Sequence, residues 1–299
     1  MSEFMDENIQ KLLNGCFVVI DKPRGPPSAQ VSNWVRDILC VSRSGHIGTL
    51  DPKVSGVLII ALGKAVRLSR FLSGQDKEYI AVMHLHKDVH IGLIEDVLNR
   101  FVGEIVQKPP VKSAVAKRPR KRKVYSINIL EKKGRDVLIH VFCEGGVYVR
   151  TLIHSIGKEI GCGANMTELR RIRSGSVGEG QAHTLYELKD AVWLCENKGD
   201  CTRLSDMLIP PDALLNLPSI TVKDTVLPSI AYGSPIYRKG ILKYPDNVKR
   251  DDFVKVYSEN GVFCGVAQVS DGPEMYAKMR INWLNAKEFG KKWKPLKPL

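Results

Sequence analysis

Apolar residues fall in short blocks whose spacing switches between strand-like and helix-like along the chain. The first block, Cys16-Phe17-Val18-Val19-Ile20, is a continuous run of strand length, stopped by Asp21-Lys22-Pro23-Arg24-Gly25-Pro26-Pro27. Val31, Trp34, Val35, Ile38 and Leu39 then recur at helical spacing and predict one apolar helix face. A second continuous run, Val57-Leu58-Ile59-Ile60-Ala61-Leu62, lies between Gly56 and Gly63 and predicts a buried strand. Leu68, Phe71 and Leu72 predict a short helix ending at Gly74, residues 77–83 a strand, and residues 93–102 an amphipathic helix. Residues 124–130 and 137–142 alternate and flank Lys133-Gly134-Arg135, the pattern of a hairpin. Val149, Leu152, Ile153, Ile156 and Ile160 form the stripe of a helix that stops at Gly161, and residues 185–196 form another.

The composition changes at Ile209-Pro210-Pro211 and Leu217-Pro218, which predicts a domain boundary. Beyond it come short strands at 220–222, 235–237, 253–257 and 263–267, with Glu259-Asn260-Gly261 as a hairpin turn between the last two. About seventy residues of this kind predict a small β-barrel. The reading is a lead-in at 1–14, a large domain at 15–208, a barrel at 209–286 and a basic, proline-bearing tail at 287–299.

Charge narrows the function. The 299 residues carry 45 Lys+Arg against 32 Asp+Glu, a net charge of +13, and so favour a polyanionic partner, nucleic acid before membrane. No long apolar span or basic amphipathic helix accompanies that charge, and the acidic N-terminus resembles neither signal nor transit peptide, so a soluble intracellular protein is expected. The charge is concentrated in Lys117-Arg118-Pro119-Arg120-Lys121-Arg122-Lys123, where Pro119 denies a continuous helix. No carboxylate sits within the run, which reads as a loop that tracks phosphates. The seven cysteines contain no Cys-x-x-Cys pair, which argues against a zinc ribbon and against a disulfide scaffold, and most read as small buried hydrophobes. His84, His86 and His90 cluster without partner ligands, so no metal site is expected.

One stretch can carry chemistry. Gly45, Gly48, Pro52 and Gly56 mark a tight loop leading into the 57–62 strand, with a single carboxylate, Asp51, at its corner. An isolated Asp-Pro is read first as a turn cap. Arg150 stands at the start of the 149–160 helix, poorly placed against the positive end of the helix dipole, and calls for an anionic partner.

Read together, these landmarks resemble the TruB/dyskerin family of pseudouridine synthases. The resemblance rests on Gly45-His46-Ile47-Gly48-Thr49-Leu50-Asp51-Pro52, Asp21-Lys22-Pro23, Lys77-Glu78-Tyr79, Gly146-Val147-Tyr148-Val149-Arg150-Thr151, and 166–175 with its Leu169-Arg170-Arg171 core. Residues 209–286 resemble a PUA domain, through Tyr232-Gly233-Ser234-Pro235-Ile236 and the 261–269 hairpin. The archaeal-type catalytic subunit of H/ACA ribonucleoproteins is the most similar branch.

The resemblance implies an α+β fold: a mixed, mostly antiparallel central sheet flanked by helices, followed by the PUA-like barrel. It implies isomerisation of uridine to pseudouridine in rRNA or tRNA, with no cofactor, because nothing is oxidised and no group is donated. Asp51 would be the nucleophile in a mostly dry pocket, and Arg150 its ion-pair partner. Tyr79 would be the accessible aromatic that stacks on the extruded base. Tyr148 and Leu169 would line the pocket, with Lys22 a supporting residue and His46 helping to hold the RNA. Lys117, Arg118, Arg120, Lys121, Arg122 and Lys123 would grip RNA backbone. The implied partners are an H/ACA guide RNA, the substrate RNA and small accessory proteins of that particle, in the cytoplasm if the source is archaeal and the nucleolus if it is eukaryotic. A stand-alone enzyme acting on position 55 of tRNA is the alternative, and a non-catalytic RNA-binding scaffold the second alternative. Ile47, Pro27, Ala29 and Val147 depart from the family pattern, Ile47 because a β-branched residue beside the nucleophile narrows the loop's options.

Overall fold

The computed structural model describes residues 7–108, 118–270, 272 and 275–289. The chain divides into two compact units at Leu214/Leu215. The first begins with α1 (Glu7–Leu13), β1 (Phe17–Lys22), α2 (Ser28–Ile38), β2 (Ser44–Ile47) and β3 (Ser55–Leu62), then a 3₁₀ turn and α3 (Ser69–Leu72). It continues with β4 (Lys77–Leu85), α4 (Ile91–Arg100), β5 (Gly103–Gln107), β6 (Arg120–Lys133), β7 (Asp136–Cys143) and α5 (Val149–Ile160). β8 (Ala164–Ser174), β9 (Val177–Gly178), α6 (Leu185–Lys198) and α7 (Thr202–Met207) complete it.

The strands form one sheet in the order β1-β3-β8-β4-β7-β6-β5, with β2 paired to β3 and β9 to β8. Among these pairings only β3 with β8 is parallel. β4 alternates buried and half-buried residues, as a strand does when one face is covered. Tyr79, Ala81, Met83 and Leu85 of β4 join Val137, Ile139 and Val141 of β7 in the core. Helices α4 and α5 close that core with Ile94, Val97, Leu98, Leu152, Ile153 and Ile156, each such burial contributing roughly 1.5–3 kcal/mol. The α5 stripe ends at Gly161, whose φ of 85° forms the left-handed cap.

Three expectations change. The 120–123 run is the first part of strand β6, paired residue for residue with β5 from Glu104–Lys123 to Gln107–Arg120, and not a loop. Its cations also have cross-strand carboxylates: Lys121 Nζ lies 2.8 Å from Glu104 and Arg122 Nη1 3.4 Å from Glu144. Lys117 lies outside the described residues. Trp34, read as part of the buried helix face, is 39% exposed, because the buried line of α2 runs through Ser28, Val31, Ser32 and Val35 instead. Finally, Cys195 and Cys201 form a disulfide. Gly199, with φ 70°, ends α6 and turns the chain back, bringing the two Cα atoms to 4.2 Å. A six-residue separation escapes a search for Cys-x-x-Cys.

The second unit is a six-stranded, barrel-like sheet in the order β11-β15-β14-β13-β10-β12. Its elements are β10 (Ser219–Val222), α8 (Leu227–Ala231), β11 (Ile236–Tyr237), β12 (Ile241–Lys243), β13 (Phe253–Tyr257), β14 (Phe263–Val269) and β15 (Met275–Asn282). Ile220, Val222, Ile236, Val254, Val256, Cys264, Ala267 and Ala277 fill it.

Candidate active site

The loop between β2 and β3 carries Asp51. Its entry is a strand, with Ile47 paired to Ile59 and buried. The β-branched side chain therefore sits where β-branching is favoured, and the turn out of the strand is made one residue later by Gly48 at φ 69°.

Both flanks of Asp51 are clamped from below. The Ser28 hydroxyl donates to Leu50 O (2.7 Å) and accepts from Leu50 N–H (2.8 Å), and this exchange is fully buried. On the other side, Pro52 O accepts from Gly25 N–H (2.8 Å) and from Lys22 Nζ (3.2 Å), which also donates to Pro23 O (2.7 Å). Val54 N–H to Asp51 O (3.0 Å) closes the turn. Lys22 is therefore a buried supporting residue that fixes the loop backbone, and burial lowers its pKa to about 8. Pro27 occupies the position before α2 with extended geometry (φ −61°, ψ 152°), so it starts that helix without supplying a cap. Ala29 is exposed on α2 and Val147 is a core residue. Neither alters the clamps.

Asp51 forms an ion pair with Arg150, through Oδ2 and Nη2. The Asp51 side chain is 53% and the Arg150 side chain 55% exposed. Among the described residues no dry pocket encloses the pair: Arg150 is the second residue of α5 and lies off its buried stripe. The guanidinium in contact holds the carboxylate in one orientation.

Tyr79 also differs from expectation, being 8% exposed. It lies opposite Arg171 in the β4–β8 register, and the two side chains interact electrostatically. Burial raises the Tyr79 pKa, so the hydroxyl stays protonated. Arg171 is itself buried, donates from Nε to Val57 O (2.8 Å), and keeps Nη2 without a partner. It crosses β3 at Gly56, where φ is 102° and a Cβ would meet Arg171 O at 2.1 Å. Only glycine fits there. Burial lowers the Lys77 pKa to about 8, assisted by Arg171, and burial followed by Arg171 lowers that of His46. His46 Nε2 lies 3.1 Å from Thr49 Oγ1, within the loop itself.

Tyr148 is the half-buried residue just before α5, two positions ahead of Arg150. Leu169 is buried on β8 opposite Ala81, two positions before Arg171 on the same strand face. The structure joins Asp51, Arg150 and Lys22 in direct contacts around one loop and links Tyr79 to it through Arg171. Arg118, Arg120, Lys121, Arg122 and Lys123 lie apart from this set, at the start of β6 or just before it.

Ser28 and Arg171 support the loop without being among the expected site residues, although Arg171 lies in the Leu169-Arg170-Arg171 motif. Strand alternation could have found Arg171, since a buried Leu169 turns the residue two further on inward as well. Nothing in the sequence marks Ser28, whose partner is 22 residues away. The three histidines hold separate places: His84 Nδ1 pairs with Asp136 (2.6 Å), His90 accepts from Gly92 N–H at the start of α4, and His86 abuts Gly163. Among the described residues no group of three His, Cys, Asp or Glu could hold a metal, and no helix is long and apolar enough to cross a membrane.

Comparison with known proteins agrees with this geometry. Residues 36–92 match the TruB family pseudouridylate synthase N-terminal domain, 150–216 the tRNA pseudouridylate synthase B C-terminal domain, and 218–279 the PUA domain. A probable tRNA pseudouridine synthase B of Nanoarchaeum equitans is 44% identical over 91% of this chain and 78% of its own. That of Archaeoglobus fulgidus is 40% identical over 91% and 83%. The Cbf5 fold in a crystal structure of a Cbf5-Nop10-Gar1 complex superposes with a TM-score of 0.86 at 37% identity, covering 93% of this chain and 88% of the other. A structure of an H/ACA RNP bound to a substrate RNA containing 2'-deoxyuridine gives 0.85 at 34% identity, covering 96% and 90%. With its Asp51 loop, its sheet and its PUA domain all matched, the chain belongs to the TruB/dyskerin family of pseudouridine synthases.

Proposed function

We propose that the protein is the catalytic subunit of an H/ACA guide ribonucleoprotein and isomerises uridine to pseudouridine in rRNA or tRNA. The observation that carries the reaction is the Asp51–Arg150 ion pair on a loop clamped at Leu50 and Pro52. The bond between N1 of uracil and C1' of ribose breaks, the base turns, and a bond from C1' to C5 forms. C5 loses a proton and N1 gains one, so the product is an isomer and no cofactor is consumed. Asp51 acts as nucleophile, and Arg150 orients it and neutralises its charge. Tyr79 supports the extruded base, Tyr148 and Leu169 border it, and His46 contacts nearby RNA. The basic start of β6 takes phosphates. Small accessory proteins complete the particle, which acts in the cytoplasm.

The guided reading is supported by coverage of nearly the whole chain by structures determined in complex with Nop10, one of them also with Gar1. The names of the archaeal relatives support the second reading, stand-alone action on tRNA. Release of tritium from [5-³H]uridine distinguishes them. The guided reading expects release from a matched substrate only with guide RNA and accessory proteins, and a tRNA transcript turned over by the purified chain alone would replace it. Asp51→Asn should lower release by more than about 10³-fold with RNA affinity nearly unchanged. Undiminished release would remove Asp51 from the mechanism.

A further inference from the structure

Helix α5 begins without a side-chain cap of its own, although its second residue is Arg150. The four first N–H groups of a helix and the residue that leads into it need partners, and their absence leaves the helix start free to fray. Here the partner comes from another element. Gln107, the last residue of β5, is buried, and its amide closes a pair of hydrogen bonds with the Tyr148 backbone. Tyr148 N–H donates to Gln107 Oε1 (2.9 Å), and Gln107 Nε2 donates to Tyr148 O (3.3 Å). Tyr148 O also accepts the first helical bond, from Leu152 N–H (2.9 Å).

The paired strand grips the same segment. Glu144 accepts from Lys123 N–H (3.0 Å) and returns its own N–H to Lys123 O (2.8 Å). The Arg122 guanidinium lies across Gly146, with Nε 3.0 Å from the point where a side chain there would begin. The 144–148 segment is therefore held at both ends by the β5–β6 hairpin.

We infer that Gln107 is a positioning residue for the reaction: it caps α5 from outside and so sets the direction of Arg150 toward Asp51. This rests on the reading of Asp51 and Arg150 as the reacting pair. Its consequence is a mechanical link, since the strand that bears Arg120, Lys121, Arg122 and Lys123 shares a hairpin with the residue that fixes the catalytic arginine. Phosphates bound on that strand would load the same frame.

The test uses the full chain in whichever format supports wild-type turnover, with [5-³H]uridine RNA under single-turnover conditions. Gln107→Ala should lower the rate constant by about 10–100-fold, the effect of misplacing a catalytic group by a fraction of an ångström, with RNA Kd unchanged. Hydrogen exchange at the Tyr148 amide should accelerate in Gln107→Ala and stay slow in Gln107→Glu, which keeps the acceptor. Gln107→Glu also serves should the alanine variant fail to fold. A rate constant within about twofold of wild type in a folded Gln107→Ala would overturn the inference. So would a loss wholly in RNA Kd, which would make Gln107 an RNA contact. Wild-type turnover by Asp51→Asn in parallel would instead remove the reading beneath it, whatever Gln107 does.

Discussion

Replacing Ser28 by alanine tests whether the Asp51 loop is held from below. The hydroxyl makes two buried bonds to one residue, Leu50, at 2.7 and 2.8 Å, so its removal leaves a carbonyl and an N–H without partners in a dry site. Each such orphan costs about 1–3 kcal/mol, which gives a loss of roughly 2–4 kcal/mol with partial relaxation of the loop. With a urea dependence of about 2 kcal/mol per molar, the unfolding midpoint should fall by roughly 1–2 M. The activity effect has a different origin. Leu50 immediately precedes Asp51, so a loosened Leu50 changes the carboxylate's position, and single-turnover tritium release should fall by about 10–100-fold. Lys22→Met removes the clamp on the other flank, at Pro52. Since the two clamps share one loop, the double variant should depart from additivity by more than about 0.5 kcal/mol. A midpoint shift under about 0.3 M with an unchanged rate would refute the clamp, and strict additivity would refute its two-sided form.

Two further outcomes follow from buried and surface charge. Lys77 holds its proton to about pH 8 in the folded chain against 10.5 for the free side chain. Between those values the unfolded chain binds more protons, so this residue's contribution to stability rises with pH, by about 3 kcal/mol by pH 10, and is constant below 8. Urea unfolding of the wild type minus that of Lys77→Met, followed from pH 7 to 10, should show that rise, and a flat difference would contradict it. At the RNA face, Arg120→Ala should reduce the salt dependence of RNA binding by about 0.7–0.9 for each phosphate that Arg120 neutralises. Lys121→Ala should reduce it less, because Glu104 already neutralises Lys121 at 2.8 Å. Equal slopes for the two variants would show that RNA displaces Glu104.

Elements with strong periodicity are legible in the sequence: the 149–160 helix is bounded to the residue, because its stripe and Gly161 agree with the observed cap. β5 is not. Its five residues, Gly103 to Gln107, have no apolar run, and their pairing with 120–124 depends on a register that no local signal records. Without β5, 120–123 reads as a loop, since a row of cations looks solvated until its partner strand is known. Asp51 and Arg150 are legible as a pair only through family resemblance and a helix-dipole argument. Among the groups that hold them, Ser28 and Gln107 are hidden because each acts across a long separation, over 22 and 41 residues, and Lys22, acting over 30, is legible only through the resemblance.

Those separations also explain how a half-exposed pair can serve a reaction that profits from dryness. The holding groups Ser28, Lys22, Arg171 and Gln107 are all buried, while Asp51 and Arg150 stand in water. Rigidity is thus built into the chain beforehand, and exclusion of water is left to what binds on top. That division suits a polymer substrate. A nucleotide turned out of its helix brings an apolar base face and a wall of backbone, which can cover the pair at the moment of reaction. A permanently dry pocket would instead carry the cost of burying Asp51 and Arg150 in every unbound molecule, and that cost can exceed their mutual attraction. Burying the supports and exposing the Asp51–Arg150 pair avoids it, and under the proposed function RNA binding would be the step that strengthens the ion pair.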